Sequence, residues 1–178
     1  FNPALHPAQS VTIASTSPSS NTGMPSPLAK LLQLAAITKD DVVLEIGCGA
    51  GYAAALLSLL SGSVVATESD EALVTKATEK LSELGYDNVA VVSAKLEGGY
   101  AAEAPYDVIF VNGAIEEMPE ALLSQLREGG RLVAVVGYGN AARARLYVKN
   151  GGITSYTEYF NAAIKPLPGF RKAAEFVF

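Results

Sequence analysis

The chain has 178 residues, 49% of them hydrophobic, which is enough for one α/β domain around a single sizeable core. Acidic side chains outnumber basic ones, 18 to 13, and the resulting net charge of −5 with no basic cluster argues against nucleic acid and anionic membrane surfaces as partners. One cysteine excludes an internal disulfide and fits a reducing cytoplasm; with His6 as the single histidine, no ligand set for a metal exists.

Residues 1–27 hold five prolines, repeated Ser and Thr, and no Lys, Arg, Asp or Glu, so they read as a polar arm before a domain spanning 28–178. The arm lacks the basic start and apolar core of a signal peptide, and Phe1 in place of Met suggests a processed or trimmed chain, with room for a further N-terminal segment upstream. Ser26-Pro27 opens a helix whose apolar face is Leu28, Leu31, Leu32, Leu34 and Ala35. Val42 to Ile46 is a short buried strand, and it runs through Gly47-Cys48-Gly49-Ala50-Gly51 into a helix over Tyr52 to Leu60. That apolar helix is broken by Ser61 and Gly62, well short of the roughly 18 residues a membrane span needs. A second strand, Val64 to Thr67, ends in Glu68; Ser69 or Asp70 then caps a helix from Glu71 to Leu84 whose leucines face inward and which Gly85 stops.

Val89–Val92 and Tyr106–Val111 are the third and fourth strands, with a loop and short helix over Ser93 to Pro105 between them. Pro119 to Leu126 reads as a helix, Glu128-Gly129-Gly130 as a turn, and Arg131–Val136 as strand five. This alternation implies a parallel sheet with right-handed crossovers. Arg145–Val148 and Thr154–Phe160 flank Asn150-Gly151-Gly152, a hairpin signal that closes the sheet with an antiparallel pair. Leu167, Phe170, Phe176 and Phe178 make the tail too apolar to be free, so it packs back on the domain; a dimer contact is the less favoured alternative, and a monomer is expected.

The glycine spacing separates two kinds of cofactor. A dinucleotide fingerprint needs G-x-G-x-x-G, whose third glycine would fall on Tyr52. The form here, Glu45-x-Gly47-x-Gly49-x-Gly51, resembles the first motif of class I S-adenosylmethionine-dependent methyltransferases, in which the loop passes under the amino acid end of the cofactor. Glu68, about 20 residues on, stands where Rossmann-like folds place an acid on ribose hydroxyls. Cys48, inside the loop, reads as a small buried residue rather than a reactive thiol. Hydrolase chemistry lacks both a G-x-S-x-G elbow and a histidine in the folded body. Methyl transfer needs mainly an acceptor held in line and kept dry, and an acceptor already anionic needs no base. The shortage of bases therefore favours a carboxylate acceptor, with Glu97 and Glu116 as loop carboxylates able to serve another.

Four segments carry a closer likeness. Val43 to Tyr52, Leu84-Gly85-Tyr86-Asp87-Asn88-Val89, Ala104-Pro105-Tyr106-Asp107-Val108-Ile109 and Leu126 to Val133 resemble, in the right order, the protein-L-isoaspartate O-methyltransferase family over residues 25–150. The resemblance implies a Rossmann-like class I methyltransferase fold: a mostly parallel seven-stranded sheet, helices on both faces and a C-terminal antiparallel hairpin. It implies S-adenosyl-L-methionine as cofactor and protein repair as function, by methylation of the stray carboxylate of L-isoaspartyl residues in damaged proteins. Glu45, Gly47, Cys48, Gly49 and Gly51 would line the cofactor, with Glu68 and Ser69 at the ribose and Asn112 at the end of strand four. Two positions depart from the family pattern. Gly23 stands where the family has an active-site serine, with Thr22 or Ser26 as stand-ins, and Ala94 stands where it has an acid near the adenine, leaving main chain around Lys95 and Leu96 to serve. A small carboxylate as substrate of a small-molecule O-methyltransferase is the runner-up, and a non-catalytic binding module of this fold is the third reading.

Overall fold

The computed structural model describes residues 26–171. Seven strands form one sheet: β1 (Val42–Ile46), β2 (Ser63–Glu68), β3 (Val89–Ser93), β4 (Tyr106–Ile115), β5 (Leu126–Val136), β6 (Arg143–Asn150) and β7 (Ile153–Asn161), in the order β3-β2-β1-β4-β5-β6-β7. The first five are mutually parallel and the last two antiparallel. The expected architecture is therefore present, and the order of the last two strands, which the sequence leaves open, is the simple hairpin order. Its turn, Gly151-Gly152, has φ +59° and +76°, the left-handed pair that a two-residue hairpin requires.

Alternate residues of the parallel strands feed two cores, as expected for a sheet covered on both faces. Val43, Val108, Phe110 and Val133 meet Leu31 and Leu32 of α1 (Pro27–Ala35), Leu57 of α2 (Tyr52–Leu60) and Leu81 of α3 (Glu71–Glu83). Leu44, Ile46, Ile109 and Leu132 meet Leu96, Leu122 of α4 (Glu120–Leu123) and the tail residue Phe170. The tail does fold back as far as Phe170; Phe176 and Phe178 lie outside the described residues.

Three sequence expectations need correction. The helix expected over Pro119–Leu126 is one turn, Glu120–Leu123, because Gln125 and Leu126 join the sheet: the Tyr106 N–H donates to the Gln125 carbonyl and Leu126 pairs with Tyr106. The Gln125 side chain bonds the Tyr100 N–H and the Gly98 and Ala121 carbonyls, tying the two 3-10 turns of the 93–105 loop to α4. The expected turn at Glu128–Gly130 is a bulge inside β5, across which the register jumps from Leu126 to Arg131. In α3, Leu81 is buried but Leu84 is 61% exposed, because it caps the helix beyond the last core-facing turn.

Arg131 fastens α1 to the sheet. Its guanidinium donates to the Ala35 and Ala36 carbonyls, orphaned at the helix C-terminus, and to Asp41 at 2.8 Å. These are charge-assisted bonds in a half-buried setting. Replacing Arg131 with Met should lower the free energy of unfolding by about 2 kcal/mol, read as a lower urea midpoint at unchanged slope.

Candidate active site

A cavity of about 400 Å³ opens at the carboxyl ends of β1, β2 and β4, where chain connections leave β1 in opposite directions and a parallel sheet leaves a crevice. Its floor is the glycine loop, folded onto the end of β2. The Gly47 and Cys48 N–H groups both donate to the Thr67 carbonyl, at 3.0 and 2.9 Å, and the Thr67 hydroxyl donates to the Glu45 carbonyl at 2.8 Å. One Glu68 carboxylate oxygen accepts the Gly49 N–H at 2.9 Å; the other accepts the Ser69 and Asp70 N–H groups at 2.9 and 3.2 Å.

The three glycines share positive φ, at +82°, +53° and +97°, but have different neighbours. A Cβ on Gly47 would lie 2.7 Å from Leu167 of the tail, and one on Gly51 would press on Leu81 and Ala77 of α3. A Cβ on Gly49 would meet nothing within 4 Å among the described residues. Gly47 and Gly51 thus permit close packing within the protein, while Gly49 is the bare floor of the cavity.

Glu45 lies behind the loop with no exposed surface. A bulge in β4, between Phe110 and Ala114, turns Asn112 back so that its amide donates to Glu45 Oε1 at 3.3 Å; Oε2 is buried without a partner among the described residues. Burial pushes the Glu45 carboxyl up to about 8 against the Asn112 bond, with the nearby Glu68 charge adding to the rise. Burial, then Glu45 and Glu68, push the Cys48 thiol up to about 12, so this 2%-exposed side chain is no nucleophile at neutral pH.

Of the residues singled out from sequence, Gly47, Gly49, Glu68, Ser69, Leu96 and Asn112 line the cavity. Glu45, Cys48 and Gly51 support it from beneath, and Lys95 sits at its edge, exposed, with its carbonyl accepting the Gly98 N–H. Ser26 caps α1, its hydroxyl accepting the Ala29 N–H at 3.3 Å, and Thr22 lies outside the described residues. Neither Glu97 nor Glu116 lines the cavity. Sequence reasoning missed Asp70, Leu73 and the wall from Lys165 to Pro168. The Ala114 N–H donates to the Lys165 carbonyl and the Leu167 N–H to the Ala114 carbonyl, which pins that wall to β4. Its only signal in the sequence is the apolar, proline-flanked tail.

The sheet order and the glycine crevice define a Rossmann-like methyltransferase fold. A family model described as protein-L-isoaspartate(D-aspartate) O-methyltransferase matches residues 6–167, and the chain belongs to that family. A protein-L-isoaspartate O-methyltransferase of Koribacter versatilis is 38% identical over 142 residues, covering 80% of this chain and 64% of the relative. One from Helicobacter pylori strain G27 is 42% identical over 125 residues, covering 70% and 60%. The chain thus spans somewhat under two thirds of the length of these relatives. A solved protein-L-isoaspartate O-methyltransferase superposes with a TM-score of 0.74 at 29% identity, over 80% of this chain and 46% of that one. A Plasmodium falciparum structure assigned to the same activity, in complex with S-adenosyl-L-homocysteine, superposes at 0.66 with 20% identity, over 84% and 77%, and attests the fold.

The buried Glu45 carries a pH signature. Its folded pKa of about 8 lies above the ordinary 4.5, so over that window the folded state holds a proton that the unfolded state has lost. Stability must then fall as pH rises from about 4.5 to about 8, the contribution being fully present only below the lower value. Urea midpoints measured across this range should decline in the cofactor-free protein, and Glu45→Gln should flatten the decline.

Proposed function

We propose that this protein transfers a methyl group from S-adenosyl-L-methionine to the carboxylate of L-isoaspartyl residues in damaged proteins or peptides. The observation that carries the reading is the bare floor at Gly49 beside the Glu68 carboxylate, in a cavity large enough for a nucleoside with an amino acid tail. Glu68 Oε1 already accepts two backbone N–H groups, from Ser69 and Asp70, whereas Oε2 accepts the Gly49 N–H and keeps a lone pair for a ribose hydroxyl. Leu96 and Leu73 offer apolar contact for an adenine ring, and Asn112 and the glycine loop lie toward the amino acid end.

Held by the glycine loop and Glu68, S-adenosylmethionine would supply a sulfonium methyl, and its transfer to an ionised carboxylate would balance, the C–O bond formed against the C–S bond broken, with a neutral ester and a neutral thioether as products. What the chain supplies is position and dryness. Asn112, fixed by Glu45, borders the reacting end, and Leu167 presses on Gly47 and Gly113 to exclude water there. No side chain has to remove a proton from a carboxylate that is already ionised. A reducing, cytoplasmic setting suits the lone buried thiol.

A second reading, a cofactor-binding module without turnover, is favoured by Ser26, whose hydroxyl is committed to capping α1 instead of standing free as a substitute for the serine missing at position 23. Calorimetric titration with S-adenosylmethionine and S-adenosylhomocysteine, followed by methyl transfer to an isoaspartyl peptide, separates the two. Binding with transfer is expected; binding without transfer would select the module, and no binding would remove both. Gly49→Val, which combines a β-branched side chain with a left-handed backbone and projects into the cavity, should weaken cofactor binding at least 100-fold, roughly the cost of strain plus a blocked floor.

A further inference from the structure

Two hollows meet at Lys165. Beside the main cavity lies a smaller one of about 120 Å³, lined by Leu28, Leu31, Asn112, Gly113, Ile164 and Lys165. Asn112 and Lys165 border both. The charges are divided between the ends: Glu68 and Asp70 lie with Ser69 at one end of the main cavity, and Lys165 is the cation among the described residues of either lining. Its main chain is held by the Ala114 N–H, at 2.9 Å to its carbonyl, while its side chain is exposed. The ion pairs among the described residues use Arg127, Arg131 and Arg145, so the Lys165 ammonium is uncommitted there.

An uncommitted ammonium at the mouth of an apolar hollow selects an anion with an apolar neighbour. Elsewhere a chain of net charge −5 repels anions, which makes the local cation more discriminating. We propose that Lys165 is the residue that recognises the acceptor carboxylate, holding it at the junction of the two hollows while the acceptor's apolar flank fills the one formed by Leu28, Leu31 and Ile164. This rests on the carboxyl methylation proposed above and adds the acceptor's binding determinant. It also separates substrate from product: the ion pair exists with the carboxylate and is lost in the ester, which carries no charge.

The test compares wild type, Lys165→Met and Lys165→Arg for binding of S-adenosylhomocysteine, and for KM and kcat with an isoaspartyl peptide. Lys165→Met should raise KM roughly 3- to 10-fold, the range for an exposed to half-buried charged contact, with S-adenosylhomocysteine affinity unchanged, and arginine should restore it. The wild-type KM should also rise with salt more steeply than that of the methionine variant. An unchanged KM in Lys165→Met, or an equal loss of S-adenosylhomocysteine affinity, overturns the assignment while leaving the methylation reading intact. A wild type that neither methylates nor binds the peptide overturns both.

Discussion

Everything at the site depends on the carboxyl end of β2 acting as an anchor for the loop after β1. The Thr67 carbonyl takes two loop N–H groups, the Thr67 hydroxyl returns a bond to the Glu45 carbonyl near the end of β1, and the Glu68 side chain takes a third loop N–H together with the first two beyond its own strand. With backbone donors already aimed at it, the carboxylate is held as a fixed group rather than a mobile side chain. The loop can therefore be nearly free of side chains and still be rigid, which a glycine-rich segment would not achieve alone. The floor of the cavity and the acid beside it form one hydrogen-bonded unit.

That unit was legible in the sequence because each of its parts is local: an apolar strand, three glycines, a helix, a second strand and an acid, all between Val42 and Glu68. The cap at Asp70 and the stop at Gly85 were legible for the same reason, since caps and left-handed residues are set by neighbours a few positions away. What sequence reading misplaced depends on distant partners. Glu128-Gly129-Gly130 has turn composition and does bend, yet the bend lies within a strand because Tyr106 captures Leu126 before it. Glu128 then bonds the N–H groups of Gly151 and Gly152, so a charged residue of the bulge supports the hairpin turn from across the sheet. No local pattern encodes that pairing.

The same distinction explains the wall of the cavity. Leu167 has no periodicity to announce it, and its place is fixed by two glycines, Gly47 in the loop after β1 and Gly113 in β4. Gly113 reads in isolation as an ordinary strand-end turn. In the fold it is the position where β4 bulges, frees Asn112 to face Glu45, and leaves room for a side chain from the tail. Asn112 was selected from its place at the end of a strand, but its geometry comes from the bulge and its chemical partner from β1.

Leu167 also orders events in time. The floor of the cavity is complete within the first third of the domain, whereas the wall comes from residues near its end and is bonded to Ala114 between them. During synthesis the chain emerges from the ribosome with the glycine loop long before the segment that covers it. Residues up to the end of β5 include the glycine loop, Glu68 and Asn112 but not the wall from Lys165 to Pro168. The enclosure of the cavity is thus supplied by the part of the domain that is made last, the segment whose leucine fills the space left by Gly47 and Gly113.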